Sequence, residues 1–133
     1  MFKDYIDGKE RREILEELRG LDKKWAERLE KLLERKEKMT SEGNFYGEVY
    51  TERQWDLALT PIFNKERIRV EIMKYVKEKG EASVKEISEE LGIPGKVVLF
   101  NIVELVKRKT LELSRIKDTT PLYRYIGEGH NGG

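Results

Sequence analysis

Lys96, Phe100, Asn101, Lys107, Arg108, Lys109, Arg115, Lys117 and Arg124 fall within one short span of the C-terminal half. Their chemistry is recognition rather than bond-making. Lysines and arginines donate to phosphate oxygens, an asparagine amide matches the adenine edge, and an aromatic ring can touch a thymine methyl. The Lys107-Arg108-Lys109 run has a second use, because cations at a helix C-terminus compensate the exposed carbonyls there.

Other chemistries find little support. The chain has no cysteine, which excludes disulfides, thiolate metal sites and thiol catalysis. Its one histidine, His130, sits in a terminal GEGHNGG run. No His/Cys/Asp constellation for a metal or an activated nucleophile is present. Gly92 and Gly95 do not form a phosphate-binding G-x-x-x-x-G-K-[ST] loop. The carboxylates stand at solvated helix spacings rather than as a pair for acid–base work. The expectation is a protein that is not an enzyme, with no cofactor and no metal.

These side chains need elements to hold them. Ser83 and Glu86 have the spacing of a capping box, in which each side chain satisfies a backbone N–H at a helix start. Val84, Ile87 and Leu91 then share one face. Gly92 suits the left-handed residue that ends a helix, and Pro94 suits the first turn of a new one. Val98, Ile102 and Leu105 mark the buried side of that second helix. A preceding helix is predicted over 65–79, with Ile68, Ile72 and Val76 four apart and Gly80 as its stop. After Lys109 the period changes to two: Leu111, Leu113 and Ile116, then the 117–121 turn, then Leu122 to Ile126, which reads as a hairpin.

Three helices followed by a two-stranded hairpin resemble the winged helix-turn-helix of MarR-like and arsenical-repressor-like regulators. The resemblance covers residues 65–126 and is carried by the run from Ser83 to Pro94, by Val98, Ile102 and Leu105, by Leu111, and by the Lys117–Pro121 turn. It implies a homodimer that regulates transcription by binding double-stranded DNA. The helix 94–107 would enter the major groove and the wing would touch the backbone or the minor groove. A metal-sensing variant is not supported, given the lack of cysteine.

The outward side of that helix complicates this expectation. Counting 100° per residue from Val98, the opposite face carries Lys96, Phe100, Val103 and Lys107, flanked by Leu99 and Glu104. The lysines suit phosphates, but the Leu99/Phe100/Val103 face suits an apolar neighbour. The alternative is therefore a winged-helix adaptor that docks a protein partner and does not bind DNA. The tyrosines of the hairpin, like Trp25 and Trp55, read as core rather than as a ligand cage.

Upstream, Asp7 is positioned to cap a helix starting near Gly8. Ile14, Leu15, Leu18, Leu21, Trp25, Ala26, Leu29, Leu32 and Leu33 stay on one arc to about Lys38 without drifting at Gly20. One long helix is the favoured reading; the alternative is two helices, with Asp22 capping the second. A single helix would be about 45 Å long, against a radius of gyration of about 14 Å for a globule of this length. Its stripe of Ile14, Leu18, Leu21, Trp25, Leu29 and Leu32 is therefore assigned to coiled-coil-like dimerisation. A turn follows at 40–47, with a short extended piece at Phe45, Tyr46, Val49 and Tyr50. Next comes a short helix over 52–59, opened by Thr51 and Gln54 and closed by Thr60-Pro61.

The expected organisation is an N-terminal helical arm (1–61), a winged-helix domain (62–126) and a flexible tail (127–133), in the mainly α (α+β) class. The 133 residues carry a net charge of only +1. Residues 1–61 hold 13 basic and 15 acidic side chains (−2), and 62–133 hold 14 and 11 (+3). That basic excess is small for a nucleic-acid binder. With 40% charged residues, a mean hydropathy of −0.72 and no long apolar run, the expected location is cytoplasmic, with no membrane contact.

Overall fold

The computed structural model describes residues 2–41 and 51–127. The extended piece expected at Phe45, Tyr46, Val49 and Tyr50, and the tail from 128 with His130, lie outside the described residues. Among the described residues the chain is mainly helical. Its elements are α1 (Gly8–Leu21), α2 (Lys23–Ser41), α3 (Glu52–Lys79), α4 (Val84–Leu91), α5 (Gly95–Lys107), β1 (Leu111–Lys117) and β2 (Thr120–Tyr125). The two strands form one antiparallel sheet. None of these helices is long and apolar enough to cross a membrane. The chain divides into two compact units, Met1–Glu66 and Arg67–Gly133.

In the first unit Asp7 caps α1 by accepting from the Glu10 N–H at 2.9 Å. The long helix favoured from the sequence does not form. The chain breaks at Asp22 (φ −151°, ψ 83°), not at Gly20, which stays helical. Asp22 donates its N–H to the Leu18 carbonyl at 2.6 Å, and its Oδ1 accepts from the Trp25 N–H at 3.2 Å. One residue thus closes α1 and caps α2.

Asp56, on α3, shows that the two helices fold back on each other. Its Oδ1 lies 2.8 Å from Arg11 Nη1 of α1 and 3.8 Å from Lys36 Nζ of α2. A continuous helix would hold those two residues about 37 Å apart. Arg19 and Glu30 pair across the same hairpin. An unbroken apolar phase does not require an unbroken helix, because a hairpin turns both stripes toward each other.

The stripe assigned to dimerisation is therefore largely covered within one chain. Ile14, Leu18, Leu21 and Leu29 are buried, and Trp25 and Leu32 are half-buried. The overhang on which that assignment rested is absent. Ile6, Leu59 and Phe63 complete this core. The lead-in is fixed as well: Lys3 exchanges both backbone bonds with the Asn64 amide, and the Ile6 N–H donates to Thr60 Oγ1. The Tyr5 hydroxyl donates to Asp56 Oδ2 at 2.8 Å, which holds its pKa above the ordinary tyrosine value.

The helices expected at 52–59 and 65–79 are one helix, α3, with Pro61 inside it. Proline lacks the N–H for a bond to the Leu57 carbonyl and disfavours a helix interior by about 3 kcal/mol. Leu57 and Pro61 lie on the exposed side, where water can take up a freed carbonyl. On the inward side Leu59 and Phe63 are buried, and Thr60 Oγ1 donates to the Asp56 carbonyl at 2.8 Å. The boundary between the units consequently falls within α3, after Glu66, rather than at 61/62.

In the second unit Ile68, Ile72, Met73 and Val76 of α3 share a core with Ile87, Ile93, Val98, Ile102, Leu105, Leu111 and Leu122. The capping box forms as its spacing predicts: Glu86 N–H to Ser83 Oγ at 3.1 Å, Ser83 N–H to Glu86 Oε1 at 3.3 Å. Gly92 ends α4 at φ 66°, and α5 begins directly after Pro94. At the far end of α5, Lys109 takes φ 62°. The Thr110 N–H reaches the Leu105 carbonyl at 3.0 Å and the Lys109 N–H reaches that of Val106 at 3.0 Å, the double bond of a Schellman stop. β1 pairs with β2 from Leu111↔Tyr125 to Lys117↔Thr120, with a bulge between Leu113 and Arg115. Two residues, Asp118 (φ 49°) and Thr119 (φ 68°), make the loop, the signs a type I′ turn requires. Ala82 and Tyr123 exchange two backbone bonds of 2.9 Å, tying the hairpin to the connector before α4.

Candidate interaction face on α5

α5 is anchored on one side by Val98, Ile102 and Leu105, each fully buried. Asn101 joins that inward side. It is 4% exposed, donates Nδ2–H to the Val97 carbonyl at 2.8 Å and accepts from Arg69 Nε at 2.8 Å. Its assignment as an adenine-reading residue is corrected by this: the amide is committed inside the unit and faces away from any groove. The reason is angular, since Asn101 lies beside Val98 and Ile102 on the wheel and a buried arginine stands opposite.

The outward side is open. Leu99 is 47% exposed, Phe100 66%, Val103 46% and Val106 39%. With Lys96 and Lys107 they occupy an arc of roughly 120° at 100° per residue. Their steps of three and four make a seam of the kind used between helices. Val106 was not among the residues singled out from sequence; its step of three from Val103 is the signal that would have included it. Leu113 and Ile116 of β1 are also exposed, at 49% and 63%.

The cations fall into two groups. Arg108 turns inward, its side chain 6% exposed and its Nε 3.5 Å from Glu104 Oε1. Arg115 is clasped by Glu81, with Nε at 3.0 Å and Nη2 at 2.6 Å from Oε1, while Ser114 donates to Oε2 at 2.8 Å. The arginine, then the serine, hold the Glu81 carboxyl below its ordinary pKa, with a contribution from the charge of Lys117. The same contact holds the Arg115 guanidinium further toward its charged form. Arg124 donates Nε–H to Glu112 at 2.6 Å. In contrast, Lys96, Lys107 and Lys109 are exposed and make no ion pair among the described residues. Lys117 is exposed beside the hairpin loop.

Among the described residues no group of three or more His, Cys, Asp or Glu converges as a metal site. A shallow recess of about 260 Å³ lies between Phe2 and Leu57 in the first unit. Its one buried amide, Asn64, is engaged with the Lys3 backbone. What the α5 face can do chemically is exclude water from an apolar partner and present ammonium groups at its ends. Comparison with protein-family models, curated proteins and solved structures returned no match.

Proposed function

We propose that residues 65–126 form a winged helix-turn-helix serving as a protein-docking adaptor, with the outer face of α5 as its contact surface. The observation that carries this reading is the exposed run Leu99, Phe100, Val103 and Val106 on the helix that would otherwise enter DNA. A contiguous exposed apolar patch marks an interaction surface. In a major groove the same side chains would meet polar base edges, where thymine methyls offer only occasional apolar contact. Asn101 turned inward, and Arg115 and Arg124 held by carboxylates, support the same reading.

DNA binding by a transcriptional regulator is the second reading, favoured by the uncommitted Lys96, Lys107 and Lys109. Titration with genomic duplex fragments across about 50–200 mM salt separates the two. The docking reading expects no saturable, salt-dependent complex. A complex whose log K falls with log salt, and whose slope drops by about 0.9 for each of these lysines removed, would establish the DNA reading instead. The positive test is Phe100→Glu, which should abolish a specific co-purifying protein while circular dichroism and thermal unfolding stay as in the parent chain.

A further inference from the structure

We infer that the α5 face receives an amphipathic helix whose apolar stripe is flanked by carboxylates. This inference rests on the docking reading above and names the partner's chemistry. Its first support is geometry. Lys96, Leu99, Phe100, Val103, Val106 and Lys107 follow one another at helical steps along a single side of α5, and all are exposed. From Lys96 to Lys107 the seam runs about 16 Å, which a partner helix of about three turns covers.

The second support is the charge pattern. Other cations of this unit are engaged locally. Arg108, Arg115 and Arg124 hold Glu104, Glu81 and Glu112. Lys74 lies 3.9 Å from Glu71, and Lys77 and Lys79 sit over the rings of Tyr125 and Tyr75 at 5.3 and 5.9 Å. Lys85 of α4 and Lys117 beside the hairpin loop apart, the lysines of this unit with neither an ion pair nor a ring contact lie at the two ends of α5: Lys96 at one, Lys107 and Lys109 at the other. Glu104, the carboxylate on this helix, is neutralised by Arg108. The face therefore presents an apolar centre between two positive ends, complementary to an apolar centre between two negative ends. A second copy of α5 fits poorly, because its own ends are positive.

The test uses the full chain and two synthetic helical peptides of about three turns, both with leucines at interhelical spacing. One has glutamates at its ends and the other lysines. Binding is followed by backbone amide shifts and by fluorescence anisotropy. The expected result is a shift of the α5 amides by the glutamate peptide, with affinity about tenfold above that of its lysine twin. The double variant Lys96→Glu/Lys107→Glu should reverse the preference while keeping the parent's unfolding curve. If both peptides bind α5 equally, docking stands and the acidic-flank inference is overturned. If neither peptide moves the α5 amides, and duplex DNA does, both readings fall. A concentration-dependent dimer that broadens the α5 signals would show the face taken by a second copy, which also overturns the inference.

Discussion

Asn101 Oδ1 accepts the Nε–H of Arg69 at 2.8 Å, joining α5 to α3 inside the second unit. Both residues are buried, at 4% and 7% exposure. Asn101→Ala should cost about 1–3 kcal/mol in denaturant unfolding, since it withdraws an acceptor from a buried charged donor. Affinity for any α5 ligand should be unchanged once folding is accounted for. A stable variant that loses ligand binding would return Asn101 to the contact surface.

Asp56 neutralises Arg11 and Lys36 where α1, α2 and α3 meet in the first unit. Asp56→Ala leaves these cations, 8% and 12% exposed in their side chains, without that carboxylate. A loss of about 3 kcal/mol is expected, the scale for removing one partner of a buried pair. Thermal unfolding of the full chain measures it. A change below about 0.5 kcal/mol would mean that water already screens the cluster.

Thr119 carries φ 68° in the hairpin loop, a region β-branched residues rarely occupy. Thr119→Gly should raise stability by about 1 kcal/mol by removing the Cβ penalty. Urea midpoints of the two proteins give the comparison, and a lower midpoint for the glycine variant would contradict this account of the turn.

Glu81 has its pKa lowered by Arg115 and Ser114. A depressed carboxylate adds stability that is present above its unfolded value and lost as pH falls through the folded one. The hairpin should therefore hold at neutral pH and loosen only below 4.5, the ordinary glutamate value. Carboxyl carbon shifts across an acid titration should place Glu81 below that value, and Arg115→Gln should bring it back up. A titration at the ordinary value in the parent chain would remove the Glu81–Arg115 clasp from the description of the fold.

The second unit was readable from sequence because its signals are local. Ser83 and Glu86 are three apart, Gly92 needs only its own φ, and the alternation from Leu122 to Ile126 marks a strand without reference to anything distant. The first unit depends on contacts between residues remote in sequence. Whether Asp22 interrupts the helix is decided by the packing of α1 on α2, which buries Ile14 and Leu18, and periodicity is the same for a rod and a hairpin. Pro61 misled for the converse reason, since a local helix breaker is overridden by the burial of Leu59 and Phe63 and by the lead-in bonded to Thr60. On α5, the exposed apolar run was visible from wheel angles. The same wheel puts Asn101 near the core edge, but it does not reveal Arg69, whose Nε–H commits the amide inward.

The inward anchoring of α5 leaves its outer side chains without a folding duty. Val98, Ile102 and Leu105, with the Asn101 amide, fix the axis and rotation of the helix. Residues 96, 99, 100, 103, 106 and 107 are therefore open to wholesale replacement on an unchanged frame. The same scaffold could accept grafted recognition sequences, and drift at these positions would rewire what the protein meets before it unsettled how it folds.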